Sequence, residues 1–103
     1  TMEILLTGEL MDANEAFQFG FVNRVVPRGQ VMEEAERFAR IIADNGPLAV
    51  TAIKKAVLAN IGLTLAEGLA KEVEIAAPVF MTEDAKEGPR AFKEKRKPQY
   101  KGR

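Results

Sequence analysis

Hydrophobic residues recur along this chain with the spacing of amphipathic α-helices. Between residues 28 and 44 the apolar positions lie on one helical face and charged residues surround them. That apolar face consists of Val31, Ala35, Phe38, Ala39 and Ile42. Residues 28–44 are therefore predicted to form a helix, which Asn45-Gly46-Pro47 ends.

Two further helices follow in the pattern. Pro47 suits the first turn of the next helix, whose alanines favour close packing between helices. Thr64 and Glu67 then have the spacing of a capping box, which opens a long helix. In this helix the pattern predicts inward-facing Leu65, Leu69, Val73 and Ala76, with a kink or an end at Pro78.

The two ends of the chain predict shorter elements. Residues 3–6 are expected to end a helix, Asp12 to Glu15 to start a short helix over residues 13–19, and residues 21–26 to form a short extended segment. Residues 82–84 are expected to start another helix, which Gly88-Pro89 breaks before a last short helix and an irregular tail. The predicted fold is a single all-α domain of four to five helices with short loops.

The composition excludes several kinds of chemistry. The 103 residues include no cysteine and no histidine, so disulfides, Cys/His zinc sites and His- or Cys-dependent triads are ruled out. The carboxylates are expected on outward helix faces, with Glu33, Glu34 and Glu36 as solvated surface. No catalytic residue, metal site or cofactor is predicted from the residues themselves.

The positive charge is concentrated at the C-terminal end. Residues 86–103 contain eight basic and two acidic side chains, although the whole chain has a net charge of zero. Such a segment suits an anionic partner or is simply solvated. Phe92 among these cations could stack on a nucleotide base, or it could anchor the last helix in the core. Composition alone leaves both interpretations open.

Nothing in the pattern suggests a membrane protein. No apolar run approaches the roughly 20 residues that span a bilayer, and the first residues lack the features of a signal peptide. Thr1-Met2-Glu3 followed directly by apolar residues is expected to be an internal point of a longer chain. The expected location is cytoplasmic, or the mitochondrial matrix if the source is eukaryotic.

Several segments occur in a characteristic order and spacing: Glu3 to Gly8, Ala13 to Ala16, Gly20 to Pro27, Pro47 to Ala49 with Lys54, Glu83 to Gly88, Ala91-Phe92, Glu94 to Arg96, and Pro98. Together they resemble the C-terminal portion of the enoyl-CoA hydratase/isomerase (crotonase) family. Phe21 replaces the usual leucine, and Pro78 and Pro89 are uncommon in the family. The resemblance covers nearly the whole chain, and its ending is the most specific part.

The resemblance implies an acyl-CoA enzyme whose catalytic half is absent from this chain. Family members stabilise a thioester enolate with two backbone N–H groups, and hydratases add water with two glutamates. Those groups belong to an N-terminal spiral domain of the crotonase-like α/β fold, which precedes residue 1. The chain is therefore expected to be the inactive C-terminal helical part of an enoyl-CoA hydratase.

The resemblance also implies a binding role for three residues and an assembly state. Phe92 and Lys95 match the family positions that meet the adenine and the 3′-phosphate of coenzyme A, and Lys54 is a weaker candidate. Residues 1–103 would be an oligomerisation and CoA-tail domain, in a homotrimer or hexamer. Coenzyme A belongs to the substrate, so no separate cofactor is expected, and neither is a nucleic-acid partner.

Other functions remain open at this point. Isomerisation, dehalogenation and thioester hydrolysis share the same C-terminal design within the family. Outside enzymology, the chain could be a helical oligomerisation module or an anion-binding module with a basic tail.

Overall fold

The computed structural model describes residues 2–103, and within that range it is all-helical without strands. Thr1, which belongs to the segment expected to be internal to a longer chain, lies outside the described residues. The α-helices are α1 (Met2–Thr7), α2 (Ala13–Gln18), α3 (Val31–Ala43), α4 (Pro47–Ala59), α5 (Leu65–Phe80) and α6 (Glu83–Lys93), and a 3₁₀ turn (Arg28–Gln30) precedes α3. The all-α prediction is confirmed, but the described residues contain six α-helices and not four or five.

The chain divides into two compact units, and the boundary falls within α3. The first unit ends at Arg37. Here the predicted capping box of α2 is confirmed, because Asp12 Oδ1 accepts from the Glu15 backbone N–H at 2.9 Å and the Glu15 carboxylate accepts from the Asp12 N–H at 2.9 Å. Gly20 (φ 75°) closes α2 in the left-handed conformation.

Residues 21–26, predicted as a short extended segment, form neither a helix nor a strand, and the backbone N–H groups of Phe21 and Val22 donate to the Ala16 carbonyl at the end of α2. The expectation that Glu34 is solvated surface is wrong. Its carboxylate pairs with Arg24 at 3.2 Å and with Arg37 at 2.8 Å.

The second unit, Phe38–Arg103, is built on α4 and α5, which pack against each other, with α6 packed on α5. The predicted capping box of α5 is confirmed, since Glu67 Oε2 accepts from the Thr64 backbone N–H at 2.9 Å. Pro78 does not end α5, which continues to Phe80. Pro78 has no N–H to donate to the Glu74 carbonyl and its ring crowds that carbonyl, and α5 ends two residues later.

Helix α6 also runs through its proline, contrary to the predicted break at Gly88-Pro89. A residue before proline normally avoids the helical region because its Cβ and N–H crowd the proline ring. Gly88 has no Cβ, so part of this clash is absent. One helix therefore spans Glu83–Lys93, with acidic residues in its first turn and basic residues in its last turn.

Candidate functional site

Helix α6 buries charged residues on one face. Asp84 and Glu87 are each 6% exposed and Ala91 is 1% exposed. They lie three and four residues apart, which places them on the same side of the helix. The expectation that the carboxylates point outward is wrong for these two residues.

The Glu87 carboxylate is fully supplied with hydrogen-bond donors. Arg96 approaches with both terminal nitrogens, at 2.5 Å and 3.1 Å, and Arg90 donates through Nε at 3.1 Å and Nη2 at 2.5 Å. The Gln99 backbone N–H adds a bond of 2.9 Å. These donors, those of Arg96 first, hold the pKa of Glu87 well below the usual carboxyl value. Glu87 is therefore ionised and satisfied although it is buried.

Asp84 binds the last residues of the chain. Its two carboxylate oxygens accept from the backbone N–H groups of Lys101 at 2.7 Å and Gly102 at 2.8 Å. Its own N–H donates to the Arg103 carbonyl at 3.1 Å. Residues 96–103, here called the C-terminal strap, have no regular secondary structure and are fastened to α6 by Glu87 and Asp84.

An aromatic ring adds an apolar contact to the strap. Tyr100 is half-buried beside two glycines. A Cβ added to Gly46 would lie 3.6 Å from its ring, and one added to Gly88 would lie 3.3 Å from its hydroxyl oxygen. A Cβ at position 46 would make an ordinary contact with the ring, whereas one at position 88 would be tight against the hydroxyl, so Gly88 provides space for Tyr100.

The end of α6 forms a turn that normally requires glycine. The Lys95 N–H donates to the Phe92 carbonyl at 3.2 Å, and the Arg96 N–H donates to the Ala91 carbonyl at 3.0 Å. This is the Schellman pattern, with Lys95 at the left-handed position (φ 54°). Among the described residues, Lys95 is the one non-glycine residue with a positive φ. A side chain in this conformation costs about 1–2 kcal/mol.

The structure brings together two of the three residues predicted from the resemblance. Phe92 and Lys95 flank this turn, and both side chains are exposed, Phe92 to 88%. Phe92 is thus not a core anchor within this chain. Lys54 is also exposed but lies on α4, a different helix.

The basic residues of this end divide by type. Arg90 and Arg96 pair with Glu87, and Arg103 lies 3.4 Å from Glu83. The lysines form no ion pair within the described part of the chain: Lys86, Lys93, Lys95, Lys97 and Lys101. The arginine fork suits a fixed carboxylate partner, whereas an exposed ammonium remains available to an external anion.

The helices of the second unit leave much apolar surface uncovered. An open groove of about 780 Å³ runs between α4, α5 and α6, with alanines, Ile53, Ile75 and Val79 in its lining. Leu65, Leu69 and Val73, predicted to face inward, are exposed instead, Leu65 to 80%. The inward orientation predicted for these three residues is therefore wrong.

Two negative findings concern the described residues. No helix among residues 2–103 is both long enough and apolar enough to cross a membrane. Over the same range, no group of three or more acidic side chains is placed to hold a metal ion.

Sequence reasoning missed Asp84, Glu87 and Arg96. The signal that could have found the first two is their spacing from Ala91, which places all three on one face with the glycine at position 88. Because Asp84 and Glu87 are acidic, their side chains are expected to be exposed to solvent, since a carboxylate is buried only when donors surround it. Apart from Arg90, which lies three positions after Glu87, those donors come from residues 9 to 18 positions further along the chain.

A helical unit with an exposed aromatic and lysine at the turn after its last helix fits the expected portion of a crotonase-type acyl-CoA enzyme. The chain belongs to the enoyl-CoA hydratase/isomerase family, whose model matches residues 1–103. Its fold is accordingly a helical portion of the crotonase fold.

Individual relatives agree with the family assignment. The chain is 42% identical to the enoyl-CoA hydratase EchA19 of Mycobacterium tuberculosis, covering 98% of this chain and 38% of that protein. It is also 42% identical to the carnitinyl-CoA dehydratase of Proteus mirabilis, covering 98% and 40%. The crystal structure of an enoyl-CoA hydratase from Bacillus anthracis superposes with a TM-score of 0.95 at 42% identity, covering 98% and 39%. The chain thus spans about 40% of the length of these relatives.

Proposed function

We propose that the chain is the C-terminal helical part of an enoyl-CoA hydratase, in which it binds the nucleotide end of coenzyme A and contributes to subunit assembly. The observation that carries the binding role is the exposed pair Phe92 and Lys95 at the end of α6. The parent enzyme would add water to 2-enoyl-CoA thioesters in acyl-CoA metabolism, such as that of fatty acids. Catalysis would belong to residues outside this chain.

Chemistry supports the pair as a nucleotide site. An exposed phenyl ring can stack on adenine, and an ammonium group can meet a phosphate as a point charge. Lys95 forms no ion pair within the described residues that would have to break first. Lys54 is a second candidate cation for the same ligand and lies on α4.

The uncovered apolar surface supports the assembly role. Exposed stripes of this kind mark surfaces that other protein covers. The α5 stripe, defined as Leu65, Leu69 and Val73, would lie in a homotrimer or hexamer interface. The bacterial source of the relatives supports a cytoplasmic location for the parent enzyme.

A second reaction deserves mention because one relative is equally similar. The carnitinyl-CoA dehydratase of Proteus mirabilis matches this chain at the same 42% identity as the hydratase. Elimination of water from a CoA thioester is therefore the runner-up activity. Hydration and dehydration are the two directions of one kind of reaction, so the same test addresses both.

The direct test uses the full-length gene product that contains this chain. It should hydrate a short 2-enoyl-CoA such as crotonyl-CoA, and the 103-residue chain alone should not. Lys95→Ala should weaken the binding of CoA about tenfold but change the binding of dephospho-CoA little, because one charged contact to the 3′-phosphate is lost. Equal losses for both ligands would remove the phosphate role from Lys95.

Two further variants test the role of Phe92. Phe92→Ala should weaken CoA and dephospho-CoA equally, because both ligands carry the adenine, whereas Phe92→Tyr should preserve binding. Phe80→Ala is a matched control, since it removes an exposed phenyl ring at the end of α5.

A further inference from the structure

The left-handed lysine at the end of α6 requires an explanation. Glycine adopts this conformation without cost, and a lysine there is strained. Strained residues persist when the surrounding structure determines their conformation, and they concentrate at functional sites. Lys95 (φ 54°) lies between two residues, Glu94 and Arg96, that bond directly to each other.

The contacts of Arg96 identify what determines this conformation. Its Nε donates to Glu94 Oε2 at 2.6 Å, and its two terminal nitrogens bind the buried Glu87 carboxylate. Nη1 also donates to the Lys97 carbonyl at 3.1 Å. Residues on both sides of Lys95 are thereby tied to a single guanidinium group, which is itself held by α6.

Burial makes this arrangement specific. The Glu87 side chain is 7% exposed while Arg96 covers it, so in this geometry its carboxylate depends on protein donors and not on water. Loss of the two Arg96 bonds would remove part of that compensation, which is unfavourable for a buried carboxylate. The pair therefore favours the geometry in which Lys95 is left-handed and its side chain is exposed.

We propose that Glu87 and Arg96 are positioning residues for anion binding at Lys95: their ion pair, in which the carboxylate is buried and the guanidinium is partly exposed, holds the strained turn that carries the lysine at the end of α6. The inference rests on the proposed function, because the anion is the phosphate of the CoA nucleotide. Glu87 and Arg96 do not touch the ligand in this account. They act by fixing the position of Lys95 before the ligand arrives, which lowers the entropic cost of binding.

The experiment measures CoA and dephospho-CoA binding to the full-length protein by calorimetry. Glu87→Gln keeps the shape of the side chain and removes its charge, and Arg96→Lys keeps a charge and removes the fork. Each variant should lower the preference for CoA over dephospho-CoA several-fold, as Lys95→Ala does. Lys95→Gly should raise the melting temperature while abolishing the preference, because it relieves the strain and removes the ammonium.

Asp84→Asn is the matched control. It also weakens a buried carboxylate of α6, but that carboxylate holds Lys101 and Gly102 and not the turn at Lys95. The variant should lose stability and keep the wild-type ligand preference. A merely structural role for Glu87 predicts the same outcome for Glu87→Gln and Asp84→Asn.

The outcomes separate the two proposals. If Lys95→Ala lowers the preference and both Glu87→Gln and Arg96→Lys leave it unchanged, the positioning role is wrong and the binding role stands. If Lys95→Ala itself leaves the preference unchanged, the proposed phosphate site is wrong. Should Glu87→Gln fail to fold, Arg96→Lys gives the same decision.

Discussion

Helix α5 exposes apolar side chains, whereas helix α6 buries charged ones, although the two helices are consecutive and pack against each other. On α5 the outward stripe of Leu65, Leu69 and Val73 contacts water. On α6 the carboxylates of Asp84 and Glu87 are covered by the C-terminal strap. Both arrangements reverse the usual distribution of residue types.

The two helices differ in whether the groups that cover their exposed or buried face belong to this chain. Helix α6 has its donors in the same chain, no more than 18 residues away, so its polar face is complete within residues 84–102. The α5 stripe has no covering segment among the described residues of the second unit. We therefore interpret α6 with its strap as a self-contained structure, and the α5 stripe as a surface that another protein segment covers.

Charge on the α5 stripe should have the largest effect. Leu69→Glu combined with Val73→Glu in the full-length protein should convert the oligomer to smaller species at micromolar concentration, because a buried unpaired carboxylate is costly at an interface. Sedimentation velocity measures this change. Ala70→Glu, which adds one such charge at an exposed neighbouring position, should leave the assembly intact. A variant oligomer of wild-type mass would show that the stripe is not in the interface.

Removal of the Glu87 charge should release the strap. In Glu87→Gln, Arg96 and the Gln99 N–H lose their anionic acceptor, and trypsin should cleave after Arg96 about ten times faster than in the wild type. Mass spectrometry of timed digests measures the rate. Glu83→Gln, which affects an exposed pair with Arg103, should cleave at the wild-type rate. Equal rates in the two variants would refute the role of Glu87.

The strap should resist acid for the same reason. The pKa of Glu87 is lowered chiefly by Arg96, so the stability contributed by its ionised form is complete above the ordinary carboxyl pKa near 4.5 and is lost progressively as pH falls from there towards the lower folded value. Trypsin is inactive in that range, so pepsin cleavage within the strap is measured between about pH 4 and about pH 2. Wild-type cleavage should be slow near pH 4 and rise steadily towards the acid end, and Glu87→Gln should be cleaved throughout. Release of the strap already near pH 4 in the wild-type protein would contradict a lowered pKa for Glu87.

The smallest effect is expected at the Tyr100 contact. Gly88→Ala adds a Cβ before Pro89 and 3.3 Å from the Tyr100 hydroxyl oxygen, so it should destabilise the protein by about 1 kcal/mol despite the better helix propensity of alanine. Thermal unfolding measures the loss. Tyr100→Phe should be nearly neutral alone and should restore part of the stability in the double variant. If the effects of Gly88→Ala and Tyr100→Phe on stability are simply additive in the double variant, the hydroxyl does not crowd position 88.

Local signals predicted most of the helices correctly. The capping boxes at Asp12 and Thr64 are confirmed because their donors and acceptors lie three residues apart, within a single turn. The break expected at Pro89 is wrong because the effect of proline depends on its neighbour, and Gly88 removes the part of the clash that involves a Cβ. Local sequence rules count glycine as a helix breaker, whereas here it favours continuity of the helix.

The candidate site was predictable only in part. Phe92 and Lys95 were recognised by resemblance, and they remain predictions as CoA ligands. The buried role of Glu87 depends on Arg96 and Gln99, which meet it only after the chain reverses at Lys95. A left-handed lysine has no local sequence signal, since glycine is the usual residue at that position. The strap can therefore be recognised only from the three-dimensional structure.

Hydrogen exchange of the strap amides tests the central claim most directly, namely that two buried carboxylates fasten residues 96–103 to α6. In the wild-type protein the amides of Gln99, Lys101 and Gly102 should exchange slowly, and in Glu87→Gln combined with Asp84→Asn they should approach the rate of an unstructured peptide. Rapid exchange of these three amides in the wild type, or unchanged protection in the double variant, would contradict the account.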